Sequence, residues 1–160
     1  MESPPSVLAG LYVVEFAEVD DSVVFEQRRT LNVGGQWLGR VRCLAICQEF
    51  ATLEYVIQYC EEDWEPVGIA AGYASVEEAK ARIELSYHGI GSKWVRAKAS
   101  FAAARVEYEN DLRASACSFC GRTPPEEAQG FIANAEDAVR ICSHCIDDFY
   151  AAIHTREGAS

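Results

Sequence analysis

Basic residues are scarce in this chain of 160 residues: 14 Lys and Arg stand against 25 Asp and Glu, for a formal charge of -11. The deficit runs through both halves, so the whole molecule repels phosphate backbones and nucleic acid is not an expected partner. A basic protein partner would be attracted instead. Long apolar runs are also missing: none approaches the ~20 residues that a spanning helix needs, so no membrane partner is expected. The opening residues, Met1-Glu2-Ser3-Pro4-Pro5-Ser6, lack the basic, then apolar, then small-residue order of a signal peptide, which points to a cytoplasmic protein. No G-x-x-x-x-G-K-[ST] segment occurs, so a nucleotide held in a phosphate loop is excluded. Internal repeats and low-complexity tracts are absent too.

What is present is a globular composition, 49% hydrophobic and 24% charged, able to bury a core. The expected fold class is α+β: a mainly antiparallel sheet with one or two helices, followed by a small treble-clef-like zinc module. We divide the chain into an α+β domain over 1–95, a connecting helix over 96–114 and a zinc-binding module over 115–160.

In the first domain, Leu11-Tyr12-Val13-Val14-Glu15-Phe16 and Val23-Val24-Phe25 flank the turn signal Asp20-Asp21-Ser22 and read as a hairpin. Asn32-Val33-Gly34-Gly35 reads as a turn, and residues 37–47 as a strand with one wet face that enters a core. Residues 53–60 and 67–73 read as further strands around the acidic loop Glu61-Glu62-Asp63-Trp64-Glu65. That loop reads as a solvated turn, with a contact surface anchored by Trp64 as the alternative. Ser75 and Glu78 form a capping box, and Val76, Ala79, Ile83 and Tyr87 share one helical face, which predicts a helix ending near His88-Gly89. Lys93 to Arg113 carries helical spacing through Val95, Ala99, Ala102 and Val106. Trp37 and Trp94 read as core or junction residues.

Seven cysteines are an odd number for a disulfide framework. Cys117-Ser118-Phe119-Cys120 and Cys142-Ser143-His144-Cys145 form two C-x-x-C pairs with 21 residues between Cys120 and Cys142. Two residues between cysteines let a tight turn aim both sulfurs at one ion, and two such turns complete a tetrahedron. Cys117, Cys120, Cys142 and Cys145 are therefore the candidate ligands of one structural zinc ion. With four protein ligands no position is left for an activated water, so chemistry at this ion is not expected. His144 and His154 read as surface residues. Cys43, Cys47 and Cys60 read as buried hydrophobes, and His88 as a cation at a helix C-terminus.

Cys-Ser-Phe-Cys-Gly-Arg, then Gly130-Phe131-Ile132-Ala133, then Val139 to Asp147, resembles the N-terminal zinc-binding domain of ClpX, the unfoldase of the Clp protease. The resemblance covers residues 116 to about 154. It implies that the four cysteines hold zinc and that the domain dimerises and binds substrates or adaptors. Phe119, Phe131, Ile132, Val139, Ile141 and Ile146 would then match apolar positions of its core or dimer face. The loop between the pairs is longer than the family's, with Thr123-Pro124-Pro125 and Asn134-Ala135-Glu136-Asp137 as the additions. The ATPase that defines the unfoldase has no counterpart here.

Together these features predict a non-enzymatic protein-interaction protein, adaptor-like or dimerising, with structural zinc and a protein partner or a second copy of itself. An acidic immunity or inhibitor protein that neutralises a basic toxin domain is the alternative. An enzyme with a site in the first domain ranks third, because a cleft assembled from distant residues leaves no local motif.

Overall fold

The computed structural model describes residues 3–28, 31–124, 130–134, 136 and 139–157. Pro125, Ala135 and Asp137 of the predicted loop additions lie outside them. The chain divides into two compact units, residues 1–105 and 106–160.

In the first unit β1 (Val7–Leu8) turns through Ala9 and Gly10, both with positive φ, into β2 (Leu11–Glu18). Then follow β3 (Val24–Phe25), β4 (Asn32–Val33), β5 (Gln36–Trp37), β6 (Cys43–Gln48), β7 (Tyr55–Cys60) and β8 (Pro66–Tyr73). Helix α1 (Val76–Glu84), β9 (Tyr87–His88), a single 3-10 turn (Ile90–Ser92), β10 (Val95–Arg96) and the start of α2 (Phe101–Ala114) complete the unit. One antiparallel sheet runs in the order β1-β2-β6-β7-β8, with β10 also paired to β2.

β6, apolar from Cys43 to Cys47, lies at the centre, where both of its faces are buried, which is why it shows no alternation there. Leu44, Ile46 and Ile57 pack against Ala79 and Ile83 of α1 and against Tyr87 and Ile90. On the opposite face Val13, Cys43, Ala45, Cys47 and Cys60 pack with Leu8 and Trp64. Gly34 and Gly35, at φ +58° and +88°, make the left-handed turn that closes the β4–β5 hairpin.

Several expectations are corrected. Residues 11–16 and 23–25 form no hairpin together: β2 pairs with β6, and β3 pairs with β9. Asp20, the intended turn residue, instead accepts from Ser22 and from Lys93 Nζ at 2.7 Å, which ties this corner to a distant segment. Residues 37–47 are broken by an irregular stretch between β5 and β6, and Trp37 is exposed rather than in a core.

Helix α1 starts where the capping box places it: Glu78 N–H donates to Ser75 Oγ at 3.1 Å, while Glu78 Oε2 accepts from Ala74 N–H at 2.8 Å. It ends at Glu84, earlier than predicted, because Glu84 accepts from the N–H groups of Gly89 and Gly91 and frees Tyr87–His88 to pair with β3. Residues 93–100 are likewise not helical, since β10 is held by β2, and α2 begins only at Phe101. Ser75→Ala is expected to lower the unfolding free energy of this unit by about 1 kcal/mol, the ordinary cost of a lost N-cap. Denaturant unfolding with an unchanged m-value checks it.

In the second unit the later part of α2 is followed by a knuckle at Cys117–Cys120, the hairpin β11 (Phe131–Ala133) and β12 (Arg140–Cys142), and α3 (Ser143–Glu157). A knuckle, a hairpin and a helix in that order make the treble-clef-like arrangement predicted, and the whole chain is α+β.

Candidate metal centre

The four sulfurs of the second unit are delivered by three backbone devices: a knuckle, the end of a strand and the first turn of a helix. Gly121, at φ +76°, lets the chain reverse after Cys120, so that Gly121 N–H donates to Cys117 O at 2.9 Å and Cys117 N–H to Arg122 O at 2.8 Å. This turn is anchored to β12 from both sides: Ser118 N–H donates to Arg140 O at 2.8 Å, and Arg140 N–H to Ser118 Oγ at 3.0 Å. Cys142 is the last residue of β12, opposite Phe131, and Cys145 stands in the first turn of α3. The junction is further held by Ser143 N–H, which donates to Gly130 O at 3.3 Å.

The four sulfurs lie within 4.8 Å of one another. Cys117 Sγ is 3.8 Å from Cys145 Sγ, and Cys120 Sγ is 3.6 Å from Cys142 Sγ. A tetrahedron with Zn–S bonds of about 2.3 Å has edges of about 3.8 Å, so the spacing suits four thiolates around one zinc-sized ion. Disulfides need about 2.05 Å, and none of the seven cysteines forms one. Cys117, Cys142 and Cys145 are buried, Cys120 is exposed, and Phe131 and Ile141 pack against the cluster.

The electrostatics call for a cation. Burial presses the Cys117 thiol upward, but the backbone N–H groups of Cys120, Cys142 and Phe119 outweigh it and hold the group down to about 6. Cys142 and Cys145 are pushed up, first by burial and then by the neighbouring sulfurs. Four thiolates this close together would repel one another, and a divalent ion at their centre would offset that repulsion. Such an ion would bind through sulfur alone and act as a cross-link, joining the knuckle, the strand and the helix.

The other candidates fall elsewhere. His144 is exposed beside Asp148 at 3.3 Å, and the His154 ring meets that of Tyr150 at a tilt of 53°, with centroids 4.2 Å apart. Cys43, Cys47 and Cys60 are buried in the first unit, where burial raises the Cys43 thiol to about 11 and the Cys60 thiol to about 12. They behave as small hydrophobes. His88 does not cap a helix: it lies in β9, with Nε2 3.1 Å from Glu26 Oε2. Trp64 is 5% exposed and packs edge-on against Phe16, so the acidic turn has no aromatic anchor on its surface.

One feature of the module escaped the sequence reading. Phe149, Tyr150 and Ile153 of α3 are exposed, and Phe149 meets Phe119 edge-on at 5.3 Å. With Ile146 they recur at spacings of three, four and seven residues, an apolar helical stripe that periodicity alone would have revealed.

Residues 115–155 match the family model described as the ClpX C4-type zinc finger. Comparisons with curated proteins and with solved structures gave no match.

Proposed function

We propose that this is a non-enzymatic protein-interaction protein whose second unit is held by one structural zinc ion and docks a protein partner or a second copy of itself. The observation that carries the reading is the apolar surface of the module. Phe119, Ile132, Val139, Phe149, Tyr150 and Ile153 are all exposed on a unit whose own buried cluster is little more than its cysteines. Large apolar side chains left outside in this number mark an interaction surface. The match to the ClpX-type finger supports the same reading for residues 115–155. The surplus of acidic residues favours a basic partner and disfavours nucleic acid.

The test uses the zinc-loaded full chain and the double variant Phe149→Ser/Ile153→Ser, which removes apolar surface without touching a cysteine. Sedimentation equilibrium of the parent chain is expected to show a concentration-dependent dimer, or photocrosslinking from Tyr150 a specific heterologous partner. The double variant should weaken either association by at least about tenfold. A parent chain that stays monomeric and crosslinks to nothing would overturn the proposal.

A further inference from the structure

The two edges of the six-stranded sheet are treated differently. On one side β2 is sealed, by β1 at its start and β10 near its end, each only two residues long. Short edge strands of this kind are a usual protection against unwanted pairing. The other edge is β8, eight residues long, Pro66-Val67-Gly68-Ile69-Ala70-Ala71-Gly72-Tyr73, with no charged side chain. Pro66 stands at its first position, and the pairing with β7 shifts register near each end, with Gly72 at φ +87°, which leaves Gly68 to Ala70 as its regular stretch. Its inner side pairs with β7, and among the described residues no backbone group of Val67 to Tyr73 bonds to anything on the outer side.

This edge carries features of a docking groove. A cleft of about 510 Å³ runs past the start of β8, lined by Leu31, Val33, Gln58, Val67, Gly68 and Ile69 among others. Ile69 is 52% exposed, so an apolar side chain faces water along the edge. Gln58 of β7 is 2% exposed and also borders this cleft, opposite Ile69 in the β7–β8 pairing.

Charge decides the occupant. The edge is bracketed by Glu61, Glu62, Asp63 and Glu65 before it and by Glu77 and Glu78 after it. Glu62 pairs with Arg42 and Glu78 is engaged at the helix cap, whereas Glu61, Asp63, Glu65 and Glu77 form no ion pair among the described residues. A second copy docked antiparallel, β8 on β8, would bring the leading acidic group of one molecule against the trailing group of the other. A parallel arrangement would set like against like. Either way uncompensated acidic groups would meet, which disfavours self-pairing.

We infer that β8 is a strand-addition site for an extended protein segment with a small, uncharged centre and lysine or arginine at both ends. Main-chain hydrogen bonds to the bare edge supply its affinity, and the acidic groups at the two ends select its charge. The inference concerns the first unit and does not depend on the zinc module.

The probe is a synthetic peptide, Arg-Arg-Thr-Val-Thr-Val-Thr-Val-Arg-Arg, titrated against the zinc-loaded full chain, with a counterpart carrying Glu for each Arg. The basic peptide is expected to bind, to weaken as salt is raised, and to protect the backbone amides of Val67 to Tyr73 from hydrogen exchange. Ile69→Lys places a charge on an exposed edge position, and Glu61→Gln/Glu65→Gln/Glu77→Gln removes the selecting carboxylates. Each should weaken binding by about tenfold or more with the melting temperature retained. Phe149→Ser/Ile153→Ser should leave it unchanged. Equal binding of both peptides, protection outside β8, no detectable binding, or a homodimer abolished by Ile69→Lys would each overturn the inference.

Discussion

Cys142→Ser is expected to unfold the second unit while leaving the first intact. Cys142 ends β12, receives no exposure to solvent, and lies 3.6 Å from Cys120 Sγ, so its sulfur links the hairpin to the knuckle. Little else would hold the module: among the described residues its buried cluster is Cys117, Cys142 and Cys145, with Phe131 and Ile141 packed beside them. A unit of this size buries too little surface to be secure alone, whereas structural zinc contributes roughly 10 to 16 kcal/mol of apparent binding free energy at neutral pH. Losing one of four ligands should forfeit enough of that for the module to melt. Amide resonances of residues 117–157 should collapse to random-coil positions, and zinc per chain should fall from about one towards zero. Resonances of the sheet in the first unit should stay where they are. A chelator added to the parent protein should reproduce the pattern. Native resonances throughout the variant, or a parent chain purified without metal and still folded, would sink the structural-zinc reading.

Trp64→Ala should be the most damaging single change in the turn between β7 and β8, even though the residue sits among four acidic neighbours. Trp64 adopts φ +67°, a left-handed conformation that turns its indole inward. There it is 5% exposed and meets Phe16 edge-on with ring centroids 5.5 Å apart, beside Cys43 and Cys60. Removing a buried aromatic of this size costs about 3 to 5 kcal/mol, most of it lost burial and a cavity the neighbours cannot fill. At about 4–8 °C per kcal/mol for a unit of this length, the melting temperature of the first unit should drop by roughly 12 °C or more. Were Trp64 an anchor for a partner, the variant would keep its melting temperature and lose only binding. Thermal unfolding followed by near-ultraviolet circular dichroism separates the two outcomes.

Trp64 also shows where local reading stops. A tryptophan inside Glu-Glu-Asp-Trp-Glu looks solvated when only neighbours along the chain are considered, because nothing local announces the left-handed turn or the Phe16 ring beneath it. The hairpin expected between residues 11–16 and 23–25 went wrong for the same reason. The turn signal Asp20-Asp21-Ser22 is real as a local bend, yet strand partners are chosen by which edges can bury apolar faces together. β6 offered β2 a better face than β3 did. The end of α1 was decided likewise by Glu84, whose carboxylate takes two backbone N–H groups from beyond the helix.

By itself the sequence determined those features that short spacings control. The two C-x-x-C pairs, the N-cap Ser75 and the double-glycine turn each depend on geometry spanning a few residues, and each is found where it was read. The convergence of Cys117 and Cys120 with Cys142 and Cys145 belongs to this class as well. Each tight C-x-x-C turn keeps its two thiols together, and two such turns in a module this small bring all four sulfurs within reach of one ion. Only the tertiary structure decided which strands pair, which aromatics are covered and which edge of the sheet stays bare. Those outcomes follow from competition among surfaces far apart in the chain, where burial of apolar area outweighs local preference.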